Sequence, residues 1–127
     1  MSNTPRHGSN DLSNRTLAFA VRIVNLCNKL RENPQTWVIA QQLAKSGTSI
    51  GANYRESQFA SSKRHFITTL EVAQRETAET EYWLDIVTAC EFVPAQRFEN
   101  LRDECRQLRA ILTSAILTAK RRKDTDD

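Results

Sequence analysis

The stretch that decides the fold is Ser46-Gly-Thr-Ser-Ile-Gly-Ala-Asn-Tyr-Arg-Glu-Ser57. Its pattern is that of a helix interior, yet it holds two glycines, Gly47 and Gly51. A glycine inside a helix costs about 1 kcal/mol relative to alanine, and two glycines four residues apart lie on one face. We therefore predict that another helix backbone approaches this face closely, which makes the stretch a packing site.

The rest of the chain has the composition of a helical domain. It has 127 residues but only three glycines and three prolines, too few for the turns of a sheet. Breaks at Asn33-Pro34, at Ser61-Ser62 and at Pro94 divide it into four helical segments, the first of which is predicted to start at an N-cap, Ser13. Long helices with short links pack as antiparallel neighbours. The sequence thus predicts an all-α fold, an antiparallel up-down-up-down four-helix bundle.

The bundle is expected to span residues 13–122, between a disordered N-terminal tail over 1–12 and a C-terminal tail over 123–127. Apolar residues at helical spacing predict the buried face of each helix. In the first helix these are Leu17, Ala20, Val21, Val24, Cys27 and Leu30. In the second they are Ile39, Leu43, Ile50 and Tyr54. In the third they are Phe66, Leu70, Ala73, Thr77, Thr80, Leu84 and Val87. In the fourth they are Phe98, Leu101, Cys105, Leu108, Leu112, Ala115 and Ala119.

A second stripe on the third helix widens its apolar arc beyond what one bundle core needs. It consists of Val72, Glu76, Glu79, Trp83, Ile86 and Cys90. A large aromatic residue at the edge of such a seam is typical of an interface. We predict a homo-oligomer whose contact includes Val72, Trp83 and Ile86. The alternative is that Trp83 covers the rim of the core of one subunit.

Polar residues beside the packing site suggest a second structural feature. Asn53 and Glu56 lie three residues apart on the second helix, and Glu76 and Glu79 have the same spacing on the third. A buried amide or carboxylate must find a hydrogen-bond partner. We interpret these four residues as a structural polar network at a helix or subunit junction.

The sequence lacks the residue patterns that catalytic and metal sites require. Di-iron bundles use Glu-x-x-His motifs, but the chain has only His7 and His65, and neither completes one. Cys27, Cys90 and Cys105 have no zinc-ligand spacing and are expected to be reduced core thiols. We expect no catalytic residue, no metal and no cofactor in a cytoplasmic protein without a signal peptide or membrane span.

Two basic rows make nucleic-acid binding the alternative to a purely structural role. Arg15, Arg22 and Lys29 recur every seven residues on the first helix. The fourth helix carries Arg102, Arg106 and Arg109, followed by the run Lys120, Arg121, Arg122 and Lys123. Such rows can contact RNA or DNA phosphates without reading bases. Two other interpretations stay open: solvated charges, or pairing with the acidic segment between Glu71 and Glu91 in a protein-interaction scaffold that binds no nucleic acid.

The segments Lys45-Ser-Gly-Thr-Ser-Ile-Gly-Ala-Asn-Tyr-Arg-Glu56 and Glu76-Thr-Ala-Glu-Thr-Glu-Tyr-Trp-Leu84 resemble one family, the bacterial 23S rRNA intervening-sequence proteins. The resemblance implies an antiparallel four-helix bundle, a pentameric ring and no enzymatic activity. Asn53, Glu56, Glu76 and Glu79 match motif positions of the family, whereas His65 stands where the family often has an acidic residue. The family is in turn similar to accessory proteins of diversity-generating retroelements, which bind nucleic acid and a reverse transcriptase.

Overall fold

The computed structural model describes residues 9–122, and these form four α-helices. The helices are α1 (Ser9–Leu30), α2 (Trp37–Ser57), α3 (Lys63–Ala89) and α4 (Glu99–Arg121), with 3-10 turns at Pro34–Thr36 and Ala95–Arg97. No strand occurs between residues 9 and 122. The predicted all-α four-helix bundle is confirmed.

Local sequence explains two of the helix starts. The Asn33 side chain accepts a hydrogen bond from the backbone N–H of Gln35 at 3.0 Å, and the Ser62 hydroxyl accepts one from that of His65 at 3.0 Å. Of the two serines at the predicted break Ser61-Ser62, Ser62 caps α3, whereas Asn33, predicted as the cap of the second helix, caps the 3-10 turn before α2. The predicted start at Ser13 is wrong, because α1 already begins at Ser9. The Ser13 hydroxyl instead accepts a hydrogen bond from Nε of Arg55 at 2.9 Å.

The end of α3 is closed by a Schellman motif without a glycine. The N–H of Phe92 donates to the carbonyl of Val87, and the N–H of Glu91 donates to that of Thr88. Glu91 adopts a φ of 56°, the left-handed region that glycine enters at the lowest cost. This turn therefore redirects the chain toward Pro94 at some cost in stability.

The glycines of α2 lie against α1. A Cβ built on Gly47 would be 2.8 Å from Cγ2 of Ile23, and one built on Gly51 would be 2.8 Å from Oγ1 of Thr16. Ile23 and Thr16 are themselves fully buried. The predicted close contact is confirmed and is made by α1, with a backbone atom, the carbonyl carbon of Thr16, 3.5 Å from the Gly51 Cβ position and only the Ile23 side chain at Gly47.

Contacts between neighbouring helices run in opposite order along the two segments of each pair. They include Thr16–Gly51 and Ile23–Gly47, then Glu56–His65 and Ser46–Thr80, then Gln74–Thr113 and Asp85–Arg102. This is the order of antiparallel neighbours, so it favours the up-down-up-down arrangement.

The buried seams of the last two helices are largely as predicted. All seven predicted positions of α3 are buried except Phe66, which is half-buried, and in α4 Ala115 is half-buried beside a buried Ile116. On α2, Leu43, Ile50 and Tyr54 are buried and Ile39 is half-buried.

The predicted face of α1 is wrong. Leu17, Val21 and Val24 are 50%, 52% and 41% exposed, while Cys27 and Leu30 are buried as expected and Ala20 is half-buried. The core side of α1 consists instead of Leu12, Thr16, Phe19, Ile23 and Leu26. The cause is the glycine face of α2, which accepts the branched side chains of Thr16 and Ile23 and thereby fixes the rotation of α1.

Two cysteines serve as packing residues. Sγ of Cys27 donates to the carbonyl of Ala40 at 3.2 Å, and Sγ of Cys105 donates to that of Thr77 at 3.3 Å. The prediction of a core position is wrong for Cys90, which is exposed at the C-cap of α3.

Among the described helices, none has the length and apolar character that crossing a bilayer requires.

Candidate functional site

Four basic residues predicted to bind phosphate lie on the side of α4 that faces α3. Nitrogen-to-oxygen contacts join Arg102 to Asp85 at 2.7 Å, Arg106 to Glu81 at 2.8 Å, Arg109 to Glu81, and Lys120 to Glu71 at 3.0 Å. We call these contacts the α3–α4 ladder. Charges that the sequence assigned to nucleic acid are thus paired inside the chain, as the alternative of pairing with the acidic segment allowed.

Glu81 is the centre of this ladder. Burial disfavours its charged form, but hydrogen bonds from Arg109 and Arg106 outweigh burial, so the pKa of Glu81 lies below its ordinary value. The pKa of Arg106 is raised, first by its hydrogen bond to Glu81. A carboxylate held between two guanidinium groups stays ionised at neutral pH, which makes it a structural group rather than an acid or base.

The basic row of α1 contains one residue in an ion pair and two exposed residues. Nε and Nη2 of Arg15 donate to the two carboxylate oxygens of Glu104 at 3.0 and 2.7 Å, and Nη2 reaches Oε1 of Gln107 at 3.1 Å. The hydrogen bond to Glu104 raises the pKa of Arg15. This pair fastens α1 to α4. Arg22 and Lys29 are exposed and line a groove of about 250 Å³ between the two helices.

A further group of cations lies where α3 begins and α4 ends. Nζ of Lys63 donates to the backbone carbonyl of Arg122 at 2.5 Å, which joins the two helix ends. Arg64, Arg121 and Arg122 are exposed, and none of them has a carboxylate within 4.0 Å in the described part of the chain. We call Lys63, Arg64, Arg121 and Arg122 the basic end. The remaining candidate of this run, Lys123, lies outside the described residues.

Sequence reasoning found half of the basic end. Arg121 and Arg122 belong to a visible basic run, but Lys63 and Arg64 form no row and were not predicted. The signal that could have found them is topological. In an up-down bundle, the residues that follow the cap of α3 lie beside the last turn of α4, so two short basic pairs combine into one cluster.

The residues predicted to form a polar network lie along the outer side of α2 and α3. Nδ2 of Asn53 donates to the carbonyl of Ser49 at 2.8 Å, and Asn53 is half-buried. Glu56 is exposed, with Oε2 3.9 Å from Nε2 of His65. Each therefore finds its contact with a group outside the predicted set, and a shared network at a subunit junction stays a prediction.

The two acidic members on α3 differ in their surroundings. Glu79 is exposed and accepts a hydrogen bond from Nε1 of Trp83 at 3.3 Å. Glu76 is half-buried, and its pKa is raised first by burial and then by the charge of Glu79. A buried polar contact between α2 and α3 is made by two hydroxyls outside the four predicted network residues, those of Ser46 and Thr80, whose oxygens are 2.9 Å apart.

The predicted oligomer-interface residues are half-buried in one subunit. Val72 and Ile86 are half-buried, and Trp83 packs on the core with its ring centroid 5.4 Å from that of Tyr82. The predicted contact between subunits therefore stays a prediction. A feature that the sequence did not predict is the exposed apolar stripe Leu17, Val21 and Val24 on α1, which we call the α1 stripe.

The described residues show neither an activated cysteine thiol at the buried positions nor a cluster of metal ligands. Burial raises the pKa of the Cys27 thiol to about 11 and that of the Cys105 thiol to about 12, so neither is a thiolate at neutral pH. Between residues 9 and 122, no group of histidine, cysteine, aspartate or glutamate side chains is arranged to hold a metal ion.

Comparison with known proteins gives one family. The family described as 23S rRNA-intervening sequence protein matches residues 9–114. A solved structure, that of a protein with unknown function from the S23 ribosomal protein family of Bacteroides thetaiotaomicron VPI-5482, is 38% identical. The match covers 83% of this chain and 97% of that chain, with a TM-score of 0.79. No curated protein matches at a significant level. With its described helices spanned almost completely by the family match, this chain belongs to the 23S rRNA-intervening sequence protein family.

Proposed function

We propose that this protein is a non-catalytic oligomeric bundle that binds RNA or DNA phosphates through the basic end. The observation that carries the proposal is the grouping of cations without acidic partners at one end of the bundle. The predicted row on α4 is paired in the α3–α4 ladder, whereas Arg64, Arg121 and Arg122 have no acidic partner among the described residues and lie where α3 begins and α4 ends. Cations without an acidic partner among the described residues can release counterions from a nucleic acid.

The position of these cations adds to the argument. The first turn of α3 contains Lys63 and Arg64 and no acidic residue, although the positive end of the helix dipole favours acidic residues there. Cations at this end oppose the helix dipole. A bound phosphate would offset that repulsion, which fits a surface kept for an anionic partner.

Oligomer formation is part of the proposal. The family resemblance implies a pentameric ring, and a symmetric assembly would repeat the basic end once per subunit. The apolar surfaces that we propose for such a contact are Val72, Trp83 and Ile86 on α3 and the α1 stripe. Free thiols at Cys27, Cys90 and Cys105 fit the cytoplasmic location that we propose for it.

The test is a salt series of fluorescence anisotropy with labelled RNA and DNA, using the intact oligomer. Wild-type protein should bind with a log affinity that falls with log salt by about 0.7–0.9 units per phosphate contact. Arg64→Glu and Arg121→Glu should each weaken binding and lower this slope. Arg31→Glu is the matched control, because Arg31 is exposed at the opposite end of the bundle and has no ion pair within the described residues.

Two results would refute the proposal. One is the absence of binding by an intact oligomer at about 50 mM salt, where phosphate contacts are strong. The other is an equal loss of affinity in Arg31→Glu and Arg64→Glu, which would show an unspecific effect of net charge. Arg102→Glu is expected to disturb the α3–α4 ladder and to lower stability, because its partner Asp85 is in the same chain.

A second candidate function is a protein-interaction scaffold that binds no nucleic acid. The observation that favours it is the α1 stripe, since three apolar side chains at helical spacing form an uncovered face. Val21→Glu should lower the oligomer mass measured by light scattering if the stripe joins subunits. An unchanged oligomer mass would leave the stripe to a different protein partner.

A further inference from the structure

The turn between α2 and α3 carries an aromatic side chain that the bundle does not cover. Phe59 is 86% exposed, more than any other large apolar residue in the described chain. Its backbone is held, because the N–H of Phe59 donates to the carbonyl of Glu56 at 3.0 Å and that of Ala60 donates to Ser57 at 3.2 Å. The ring is therefore presented to solvent from a fixed turn.

Phe59 stands next to the basic end. It precedes Lys63 by four residues and Arg64 by five, and Lys63 in turn contacts the last residues of α4 through the carbonyl of Arg122. The nearest acidic side chain along the chain is that of Glu56, which lies 3.9 Å from His65. A lone exposed apolar residue is ordinary on a protein surface, but an exposed aromatic ring a few residues before a basic cluster has the composition of a single-strand binding site.

From this juxtaposition we infer that the basic end binds single-stranded rather than double-stranded nucleic acid, with one base stacked on the Phe59 ring. The inference rests on the proposed function and names its substrate class. Duplexes hide the faces of their bases in the stack, so the ring can contribute only where a base is free. The cations hold phosphates of either form, whereas Phe59 supplies the preference between them.

Charge complementarity favours this occupant over an apolar protein surface. Arg64 follows Phe59 closely in sequence, Lys63 contacts the carbonyl of Arg122, and neither Arg64 nor Arg121 nor Arg122 has an acidic partner among the described residues. A hydrophobic partner would have to desolvate these charges, whereas a polyanion releases counterions from them. Stacking on phenylalanine also tolerates any base, so the ring itself is expected to add no base preference.

The experiment compares an unstructured oligonucleotide with a duplex of equal length, both labelled for anisotropy. It uses the full chain as an intact oligomer. Phe59→Ala should weaken single-strand binding by about five- to 150-fold, the equivalent of one stacked base, and leave duplex binding unchanged. Its matched control is Phe92→Ala, since Phe92 is a 39% exposed aromatic residue in the loop at the opposite end of the bundle.

A second readout follows the base itself. In an oligonucleotide that contains 2-aminopurine, stacking on Phe59 should quench the fluorescence of this base, and Phe59→Ala should restore it. Because Phe59 is exposed, the variant should keep the thermal unfolding midpoint and the oligomer mass of the wild type. Phe59→Tyr, which keeps the ring, should bind single strands as the wild type does.

The outcomes separate the inference from the proposed function. If the wild type binds both forms in a salt-dependent way and Phe59→Ala binds single strands equally well, stacking is refuted and phosphate binding stands. If the wild type binds neither form, both are refuted. If Phe59→Ala instead lowers the oligomer mass, the ring is a subunit contact and the inference is wrong.

Discussion

Replacing Gly47 with alanine should destabilise this protein, although the same change in an exposed helix is stabilising. The added Cβ would lie 2.8 Å from Cγ2 and 2.9 Å from Cγ1 of Ile23. Both atoms are attached to the branched Cβ of a fully buried side chain, so rotation of the far end of the side chain cannot relieve the clash. Helix α1 itself must move away from α2.

The magnitude follows from two opposing effects. Overpacking a closed core costs about 1–3 kcal/mol. Alanine in place of glycine returns up to about 1 kcal/mol of helix propensity. We expect a net loss of about 1 kcal/mol in the free energy of unfolding for Gly47→Ala, which is large enough to measure by urea denaturation.

A double-mutant cycle isolates the clash. Ile23→Ala removes the atoms that the new Cβ would meet, and by itself costs about 2–5 kcal/mol as a large-to-small core change. In that background Gly47→Ala should stabilise by up to about 1 kcal/mol, so the sign of its effect reverses. Ala52→Gly, at an exposed position of the same helix, calibrates the propensity difference. All variants are compared at one protein concentration because formation of the proposed oligomer would contribute to stability.

The reasoning would be refuted if Gly47→Ala stabilised the otherwise unchanged chain by as much as Ala52→Gly destabilises it. That result would mean that α1 does not press on this face of α2. An equal effect of Gly47→Ala with and without Ile23 would contradict the specific contact while leaving the general packing intact.

Three further changes test single groups. Glu81→Gln should lower the free energy of unfolding by about 1 kcal/mol at pH 7. Because the pKa of Glu81 is lowered in the folded protein, the difference between variant and wild type should disappear as the pH falls through the ordinary glutamate range and below it. Glu76→Gln should leave the free energy of unfolding unchanged or raise it at pH 7. The pKa of Glu76 is raised, so its ionised carboxylate destabilises the folded state above that pKa, and the difference from the wild type should vanish at acid pH. Glu91→Gly should stabilise by about 1 kcal/mol, since it relieves a left-handed φ of 56°.

Thermal and urea unfolding over a pH series measures all three. Glu32→Gln, at an exposed residue outside the helices, is the control for a generic loss of negative charge. A pH-independent effect of Glu81→Gln would contradict the ion-pair account, and a clear loss of stability in Glu76→Gln at neutral pH would show that its charge has a partner. A loss in Glu91→Gly would mean that the Glu91 side chain stabilises the turn.

The sequence predicted the structure correctly where the spacing of residues alone determines which side chains are buried or cap a helix. The seams of α3 and α4 follow a four-three pattern with no competing apolar face of equal strength, and the caps Asn33 and Ser62 act within a few residues of chain. On α1, by contrast, two apolar stripes compete. Which of them turns inward depends on the shape of the glycine face of α2, and that shape is tertiary information.

Prediction of the candidate site was limited for a related reason. A guanidinium group on a helix surface looks the same in sequence whether a carboxylate of the next helix faces it or not. Arg102 and Arg106 face Asp85 and Glu81, whereas Arg64 faces none in the described chain. Only the register of α4 along α3 distinguishes these cases. The cations without a carboxylate partner could therefore be identified only from the arrangement of the helices in the structure.

The α3–α4 ladder also determines that register. Leucine seams at heptad spacing fit nearly as well after a shift of one helical turn, about 5.4 Å. A shift of four residues in one direction would place Phe98 opposite Asp85 and Ile116 opposite Glu71, whereas a shift in the other direction would keep a cation, Arg106, opposite Asp85 but take Lys120 away from Glu71. Each misaligned register thus loses ion pairs that the correct alignment holds. Charge pairing therefore gives this hairpin of two helices one alignment where its apolar residues alone would permit several.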